Sequence, residues 1–255
     1  MARTSHTHAQ AVDVAIELFS RKGYEQTTVE EIADAAQVSR ATFFRRYGSK
    51  EDVVFADHEL LLEQVVLMLA ETGPDAREDG DAPTGRVTWD SAVDPYIEVC
   101  RAARLVFDHH VGQRETSLAR YRLLRQVPAL RDRELVTTHR YERAFTRYLR
   151  DTLRPDRSST TQSIAFSAGV VAVHNAFLRR WLRNPDQDLG PELDEAFADL
   201  RATATADLSG RDGRAAAAPL PVTVSGGSGA RVVVAVLESG TRPDDVARAV
   251  RDALS

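Results

Sequence analysis

The side chains best suited to chemistry lie in one short stretch, SRATFFRRYGSK, which runs from Ser39 to Lys50. It contains four basic residues and no carboxylate: Arg40, Arg45, Arg46 and Lys50. Guanidinium and ammonium groups bind phosphate oxygens, and an arginine can also hold the edge of a guanine through two hydrogen bonds. The pattern therefore favours contact with nucleic acid over its alternative, a helix face that is merely solvated.

Two short helices joined by a tight turn are predicted to present these cations. Thr28 caps the first helix, and Glu31, three residues later, completes a capping box. The second helix is predicted over residues 40–47, with Ser39 as its cap. A short cationic helix that another helix braces at a steep angle is the arrangement with which a helix-turn-helix enters the major groove of DNA.

Whole-chain electrostatics limit the kind of DNA contact that is possible. The 255-residue chain carries a formal net charge of −5 and has a pI of about 5.8, so its bulk charge repels nucleic acid. A protein that coats DNA without regard to sequence is therefore disfavoured. Any contact with DNA must come from a local basic patch.

The cysteine count, the histidine spacing and the length of the apolar runs exclude several classes of protein. The single cysteine, Cys100, excludes an internal disulfide and a cysteine-based zinc cage. His109 and His110, followed much later by His139 and His174, lack metal-ligand spacing. No run reaches the roughly eighteen apolar residues of a membrane span, and the N-terminal segment lacks a signal-peptide core. These observations predict a cytoplasmic protein without a metal or a cofactor.

Helical periodicity dominates the chain up to position 208. The predicted class is all-α, with a three-helix DNA-binding domain over 1–50 and a helical effector-binding and dimerisation domain over 51–208. A small C-terminal ββα extension follows, with a linker and first hairpin strand at 209–230 and a strand plus helix at 231–255. So short a unit buries too little surface to be stable alone. We expect it to dock on the helical domain or to pair with the same segment of a second subunit.

Three finer expectations concern individual segments. A polar arm over 1–7 precedes a first helix over 8–22. A single fourth helix is predicted over about 49–71, and at about 1.5 Å per residue it is long enough to leave the DNA-binding domain as a lever. The segment 72–88 is rich in Gly, Pro and acidic residues and is predicted to be a loop.

The stretch TTVEEIADAAQVSRATFFRRYGSKEDVV, with the helix before it, resembles the N-terminal domain of the tetracycline-repressor-like (TetR) family of bacterial regulators. The likeness rests on the hydrophobic spacing, the Thr-Thr cap, the Val-Ser turn, the aromatic pair and the Ser-Lys-Glu that follows. The rest of the helical domain resembles the family in architecture, and the segments RYRLLRQVPALRDRE and RRWLRNPDQDL resemble those of actinobacterial members. The resemblance implies a homodimeric repressor that a small, largely apolar effector releases from a near-palindromic operator.

Residues that match the family's DNA contacts are carried over one by one. The resemblance implies contacts with the DNA backbone at Thr28, Thr42, Tyr47 and Lys50. It implies positions nearest the base edges at Ser39, Arg40, Ala41 and Phe43, with Arg45 and Arg46 adding contacts to phosphates. For Phe43, the spacing from Val38 makes burial in the core the favoured interpretation.

Three features depart from the family pattern. Gln37 stands where the turn usually has Gly, which costs about 1 kcal/mol if the backbone is left-handed there. Phe44 replaces a tyrosine whose hydroxyl commonly reaches a phosphate, and the arm before the first helix is poor in arginine. Phosphate anchoring therefore falls on the cations of the second helix.

An effector site and a dimer interface are assigned to the helical domain. The resemblance implies a homodimer through the helices at 159–183 and 191–208. Candidate effector contacts lie on helices that could line a cavity: Tyr96, Cys100, Phe107, Tyr121, Arg125, Phe145, Phe166 and His174. Each of them could instead belong to the core or the surface. Arg114, Arg122 and Arg125 could neutralise an anionic effector such as an acyl-CoA, although solvated surface is the favoured interpretation.

Motifs of known catalytic chemistry are missing from the sequence, which has no Gly-rich phosphate loop, GxSxG, HExxH or CxxC. The chain is therefore predicted not to be an enzyme, although a Cys100 nucleophile with a distant histidine stays open at this point. The alternative to a regulator is a helical ligand- or partner-binding dimer that has lost specific DNA binding. The acidic net charge and the poor arm favour that alternative.

Overall fold

A computed structural model describes residues 2–73, 94–153, 157–209, 222–225 and 231–234. The head consists of α1 (Ala2–Lys22), α2 (Val29–Ala35), α3 (Arg40–Tyr47) and α4 (Lys50–Val53). The body consists of α5 (Ala56–Ala70), α6 (Pro95–Gly112), α7 (Arg114–Gln126), α8 (Pro128–Thr152), α9 (Arg157–Arg183) and α10 (Gly190–Ser209). Two short strands follow, β1 (Val222–Ser225) and β2 (Arg231–Val234). The predicted all-helical class of the head and the body is confirmed.

The first helix, α1, begins earlier than predicted. It starts at Ala2, so the expected polar arm over 1–7 is wrong and most of that segment belongs to the helix. No glycine or proline occurs between Ala2 and Lys22, so nothing in this segment breaks the helical hydrogen-bond pattern. The helix ends at Lys22, as predicted, and Gly23 follows with a φ of 93° that residues with side chains rarely adopt.

The head packs around an apolar core. Val12, Ile16 and Phe19 of α1 meet Ile32 of α2 and Phe43 of α3, and each of these side chains is at most 4% exposed. Burial of one such side chain stabilises a fold by about 1.5–3 kcal/mol. This core fixes the orientation of α3 relative to the rest of the head.

The single fourth helix predicted over 49–71 is wrong. The chain forms α4 and α5 instead, which are separated at Val54 and Phe55. Phe55 has φ −118° and ψ 16°, outside the helical range. The break allows Val53, Val54 and Phe55 all to be buried. Three successive residues of a straight helix point about 100° apart and cannot all face one core.

The body is a helical bundle in which α9 packs against α6, α8 and α10. Tyr96 of α6 meets Phe166 of α9 edge-on, with ring centroids 4.7 Å apart. Gly169 allows α10 to approach α9 closely, because a Cβ at that position would lie 3.1 Å from Leu200 Cδ1. Asp94 caps α6, since its carboxylate accepts a hydrogen bond of 2.9 Å from the Tyr96 backbone N–H.

The helix α7 connects the head with the body. Leu123 and Leu124 of α7 belong to the core of the head, together with Leu130 of α8. Thr116 Oγ1 donates a hydrogen bond of 2.6 Å to Asp13 Oδ1 of α1. A displacement of α7 would therefore act directly on α1.

The C-terminal strands pair antiparallel, with Val222 opposite Val234 and Ser225 opposite Arg231. The rest of the predicted ββα extension, including its helix, lies outside the described residues, as does most of the predicted loop at 72–88. The extension as a unit therefore stays a prediction. None of the helices in the described ranges is both long and apolar enough to cross a bilayer.

Candidate functional site

The cationic stretch lies on α3, which two side-chain caps and a tight turn hold in place. Thr28 Oγ1 accepts a hydrogen bond of 3.3 Å from Glu31 N, and the Glu31 carboxylate accepts one of 2.9 Å from Thr28 N. Ser39 Oγ accepts a hydrogen bond of 3.1 Å from Thr42 N at the start of α3. Both predicted caps are confirmed. Gln37 has a φ of 57°, so the backbone of the turn is left-handed at this position.

Three arginines of α3 are exposed. Arg45 and Arg46 lie in its last turn. Arg40 Nε lies 2.7 Å from Glu30 Oε1 of α2, and its guanidinium lies over the Phe44 ring. The two charged side chains of this pair are 67% and 53% exposed, so the pair contributes about 0–1 kcal/mol. A phosphate or a guanine can therefore displace Glu30 from Arg40 at little expense.

Lys50 is anchored beside α3. Its ammonium group donates a hydrogen bond of 3.1 Å to Tyr24 O and lies 3.9 Å from the centroid of the Tyr24 ring. The Tyr24 hydroxyl in turn bonds with the Glu51 carboxylate. Burial, with that carboxylate, raises the pKa of Tyr24, so the phenol stays protonated. Lys50 thus adds a charge at a fixed place next to the exposed arginines.

Two residues predicted to contact DNA lie in the core of the head. Phe43 is 0% exposed and Tyr47 is 6% exposed, with ring centroids 5.1 Å apart. The burial of Phe43 agrees with the core position that its spacing from Val38 predicts, and the DNA contacts that the resemblance implies for Phe43 and Tyr47 are not supported by two side chains this deeply buried. The other predicted contacts are exposed at least in part: Thr28, Ser39, Arg40, Ala41, Thr42, Arg45, Arg46 and Lys50.

A cavity lies in the body between α5, α6, α7, α8 and α9. It encloses about 80 Å³ and opens to solvent at its mouth. Its apolar and aromatic lining includes Phe55, Val106, Tyr121, Leu124, Phe145, Val171 and Leu178. Its polar lining includes His58, His110, Ser117, Arg120, Glu134, Tyr141, His174 and Asn175. The composition suits a largely apolar ligand with a few polar groups.

The cavity brings together part of the predicted effector set: Tyr121, Phe145 and His174. Tyr96 and Phe166 pack on each other instead, and Phe107 is a core residue at 1% exposure. Arg125 is exposed on α7, and Cys100 lies on a different groove. The predicted ligand contacts of these five residues are wrong for this cavity. Helical periodicity identifies residues that turn inward, but it does not tell which inward side borders a cavity.

The arginines considered for an anionic effector are surface residues, which is the favoured interpretation. Arg114 donates a hydrogen bond of 2.9 Å to Pro185 O and one of 2.7 Å to Asp186 Oδ1. Arg122 and Arg125 are exposed. None of these three arginines is part of the cavity lining.

A buried hydrogen-bond network forms one wall of the cavity. Arg120 Nη2 donates to Asp57 Oδ2 at 2.7 Å, and Arg120 Nη1 lies 3.1 Å from His58 Nε2. An arginine only donates, so His58 Nε2 accepts and His58 Nδ1 carries the proton. His58 Nδ1 then donates to the Tyr141 hydroxyl at 3.3 Å, which itself donates to His58 O at 3.2 Å. Both ring nitrogens of His58 are thereby occupied.

Burial sets the charge states around the cavity. Desolvation lowers the pKa of His58 to about 3 and that of His174 to about 4, and it holds the pKa of His110 well below its usual value. Burial alone would raise the pKa of Asp57, but the adjacent Arg120 guanidinium holds that pKa well below its ordinary range. At neutral pH these histidines are uncharged, and Asp57 and Arg120 balance each other.

Sequence reasoning missed this polar network, although one signal for it existed. Ser117, Arg120 and Leu124 stand at i, i+3 and i+7, so Arg120 lies on the inward stripe of α7. Arginine is rarely buried without a partner, so its place on that stripe indicates a polar site. His58 carries no comparable signal, because it follows the helix break at Phe55 that the sequence pattern does not predict.

A second groove lies between α6 and α10 and includes Cys100. Arg104 crosses it and donates to Gly190 O at 2.9 Å and to Asp194 Oδ2 at 2.5 Å. Burial raises the pKa of the Cys100 thiol to about 12, so the group stays protonated and is a poor nucleophile. Within the described part of the chain, no group of three or more His, Cys, Asp or Glu residues could hold a metal ion.

Two family models match the chain, one in the head and one in the body. The model "Bacterial regulatory proteins, tetR family" matches residues 11–56. The model "MftR C-terminal domain" matches residues 94–205. The two matched segments contain α3 with its caps and most of the cavity lining.

Comparison with individual proteins gives the same picture. The HTH-type transcriptional regulator TcmR of Streptomyces glaucescens is 53% identical over 47 residues, 18% of this chain and 21% of that protein. MftR of Mycobacterium tuberculosis is 41% identical over 63 residues, 25% of this chain and 32% of that protein. The matched segments thus span less than two thirds of these curated relatives. The match to a solved structure of a TetR-family regulator from Syntrophomonas wolfei covers 79% of this chain and 96% of the solved chain. The sequence identity is 15% and the TM-score is 0.51, so this match shows a shared fold and nothing more.

Proposed function

The chain belongs to the TetR family of bacterial regulatory proteins, and from that premise we propose that it is a DNA-binding transcriptional repressor rather than an enzyme. The observation that carries the proposal is the exposed cationic surface of α3. Arg45 and Arg46 project from a helix whose opposite side is buried through Phe43 and whose start is capped by Ser39. A rigid helix of this kind can enter the major groove and bind the phosphates at its rims.

The exposed residues of the head divide into two proposed roles. Those at the start of α3 would read base edges: Ser39, Arg40 and Ala41. The others would bind phosphates: Thr28, Thr42, Arg45, Arg46 and Lys50. Arg40 is the proposed base reader with the largest energetic share, because its guanidinium can hold a guanine through two hydrogen bonds once Glu30 is displaced.

A homodimer through α9 and α10 is proposed to align two heads on one duplex. α9 carries a stripe of small residues that are partly exposed: Ala165, Ala168, Ala172 and Ala176. Ile164 beside them is 49% exposed. Small side chains allow helices of two copies to approach closely. Two α3 helices about 34 Å apart would then read a near-palindromic operator across one turn of DNA.

The cavity is the proposed effector site, and α7 is the proposed link to the head. Arg120 and Tyr121 of α7 line the cavity, while Leu123 of the same helix packs in the core of the head. Phe55, between α4 and α5, also belongs to both. A ligand that binds one orientation of α7 more tightly than another would shift the heads out of the spacing that DNA requires.

Selection from a random DNA pool tests the DNA-binding proposal. The purified full-length chain is expected to enrich a near-palindromic sequence whose half-sites lie one helical turn apart. Enrichment of no sequence, or of a motif without two-fold symmetry, would contradict the proposed operator.

Two single substitutions then separate the roles of the cations. Arg45→Ala is expected to weaken binding to the selected DNA and to random DNA by the same factor, because it removes a phosphate contact. Arg40→Ala is expected to reduce discrimination at one operator position by about 1–3 kcal/mol. Arg125→Ala is the matched control, since Arg125 is an exposed arginine outside the head. Equal losses on both DNAs for Arg40→Ala would remove its base-reading role.

A second candidate function is a helical ligand-binding dimer that does not bind DNA specifically. The net charge of −5 and the Arg40–Glu30 ion pair favour it, since both lower the positive potential at α3. This candidate predicts that DNA selection enriches nothing while the cavity still binds small molecules.

A further inference from the structure

We propose that the cavity binds an uncharged, mostly apolar molecule with a hydroxyl group, and that this hydroxyl donates a hydrogen bond to His174 Nε2. The inference rests on the proposed function, because it names the chemical class of the effector for the same cavity. His174 lies on α9, lines the cavity and is only 8% exposed.

One ring nitrogen of His174 has a partner and the other has none. Nδ1 lies 3.3 Å from Asn175 Oδ1, and an amide oxygen only accepts, so Nδ1 carries the proton. Burial lowers the pKa of His174 to about 4, so the ring is neutral at pH 7 and Nε2 presents a lone pair. Within the described residues, no atom donates to this buried lone pair. An unpaired buried acceptor is destabilising until a donor reaches it.

The polar groups nearby are occupied by one another and do not supply that donor. His58 uses its two ring nitrogens on Arg120 and Tyr141. Ser117 Oγ donates a hydrogen bond of 3.0 Å to His110 O. Ser117 Oγ therefore accepts the hydrogen bond from His110 Nδ1, which lies 3.3 Å away. A ligand that enters the cavity can supply a donor for His174 Nε2.

A ligand hydroxyl suits the polar wall of the cavity better than a group that can only donate hydrogen bonds. Arg120 Nε is a second buried atom without a partner among the described residues, and it is a donor. A hydroxyl both donates and accepts, so it is the smallest uncharged group that can serve either His174 Nε2 or Arg120 Nε.

The charges around the cavity disfavour an ionic ligand of either sign. The Arg120 guanidinium is already neutralised by the Asp57 carboxylate, 2.7 Å away. Glu134 adds a carboxyl group to the lining and no positive charge that would attract an anion. Burial raises the pKa of Glu134, which favours its neutral form and weakens any attraction for a cation. The lone pair of His174 adds a further repulsion for a carboxylate or a phosphate.

Four naphthalene compounds with the same apolar body provide the test: 2-naphthol, naphthalene, 2-naphthoate and 2-naphthylmethylammonium. Binding to the full-length chain without DNA is measured at pH 7.5 by calorimetry. 2-Naphthol is expected to bind about tenfold more tightly than naphthalene, because one hydrogen bond to a buried acceptor is worth about that factor. The carboxylate and the ammonium compound are expected to bind more weakly than naphthalene.

Substitutions at His174 locate the effect. His174→Phe keeps an aromatic ring and is expected to abolish the preference for 2-naphthol while naphthalene still binds. Asn175→Leu removes the acceptor that fixes the tautomer and is expected to reduce the preference without removing it. His139→Phe on the surface of α8 is the matched control, since the His139 side chain is 63% exposed and outside the cavity lining.

Each other outcome contradicts the inference in a distinct way. Tightest binding of 2-naphthoate would identify an anion site, and tightest binding of the ammonium compound a cation site. Equal affinity of 2-naphthol and naphthalene would identify a purely apolar cavity, and no binding of any of the four would show that the cavity admits no such ligand. Since DNA is absent, none of these results bears on α3, and failure of the DNA selection would leave the ligand preference intact.

Discussion

The surface of α3 and the wall of the cavity both depend on arginine, in opposite environments. Arg45 and Arg46 are exposed, and the ion pair of Arg40 with Glu30 is open to water, so these groups can exchange their partners for phosphate. Arg120 is 4% exposed and lies between Asp57 and His58. If Arg120 moved away from Asp57, the Asp57 carboxylate would be left buried without a partner, which is strongly destabilising. The same residue type is therefore a ligand-binding group on the surface and a structural group inside.

The largest effect expected from this contrast is on stability. Arg120→Met leaves Asp57 buried without its partner and is expected to lower the free energy of unfolding by about 3–5 kcal/mol. Arg45→Met is the surface counterpart, and a change within about 0.5 kcal/mol is expected. Urea denaturation at pH 7 measures both, and adding Asp57→Asn to Arg120→Met should recover part of the loss. Similar small losses for Arg120→Met and Arg45→Met would erase the distinction between the two environments.

The buried histidines should make the body sensitive to acid. The folded-state pKa values of His58 and His174 are about 3 and 4, below the ordinary value of 6.5, so the unfolded chain binds more protons between these limits. Their stabilising effect is full above about pH 6.5 and is lost as the pH falls. The free energy of unfolding should drop by about 1.4 kcal/mol per pH unit for each buried histidine.

Urea denaturation at several pH values between 7.5 and 5 measures that slope. His174→Phe should reduce it, whereas His139→Phe on the surface should leave it unchanged. A free energy of unfolding that is constant over this range would show that the histidines of the cavity wall gain protons as readily when folded as when unfolded.

The proposed dimer interface differs from both the surface of α3 and the wall of the cavity, because its side chains become buried only when two copies of the chain associate. Ala172→Arg introduces a large charged side chain into the stripe of small residues on α9 and should dissociate the dimer, with a loss of DNA affinity of at least about 100-fold because each head then binds alone. Light scattering after size exclusion gives the mass. Ala129→Arg, at an exposed position of α8, is the control and should remain dimeric. A dimeric Ala172→Arg protein would place the interface elsewhere.

The smallest expected effect concerns the turn that orients α3. Gln37→Gly should raise the free energy of unfolding by about 0.5–1 kcal/mol, because glycine adopts the observed φ of 57° without strain. Gln64 is exposed and lies in the middle of α5, and Gln64→Gly should instead lower the free energy of unfolding by about 1 kcal/mol. Opposite signs for two identical substitutions would show that backbone conformation decides the outcome. A loss for Gln37→Gly would show that its side chain contributes more than the strain removes.

The same contrast explains what could be predicted from the sequence. The head is built from local signals, such as the Thr28–Glu31 capping box and the Ser39 cap, whose partners lie within four residues. The cavity wall joins Asp57 and His58 to Arg120 and Tyr141, which are 62 to 83 residues away in sequence. Periodicity shows that these side chains turn inward but carries no information about which of them meet.

Errors in the sequence-based predictions have the same origin. The family resemblance implies DNA contacts for Phe43 and Tyr47, but packing in the core of the head buries both side chains, as the spacing of Phe43 from Val38 predicts. The break at Phe55 arises because several neighbouring apolar residues must be buried at once, a condition set by the rest of the fold. The polar composition of residues 1–7 predicts an arm, but these residues contain no helix breaker and α1 begins at Ala2.

DNA affinity as a function of salt concentration tests the central claim most directly, which is that Arg45 and Arg46 of α3, together with Lys50, bind the DNA backbone. With three such cations per protomer, a dimer engages about six phosphates, and the logarithm of the affinity for the selected operator should fall with the logarithm of salt concentration at a slope near −5. Arg45→Ala should make that slope shallower by about 2. A slope near zero, or one that Arg45→Ala does not change, would contradict the account.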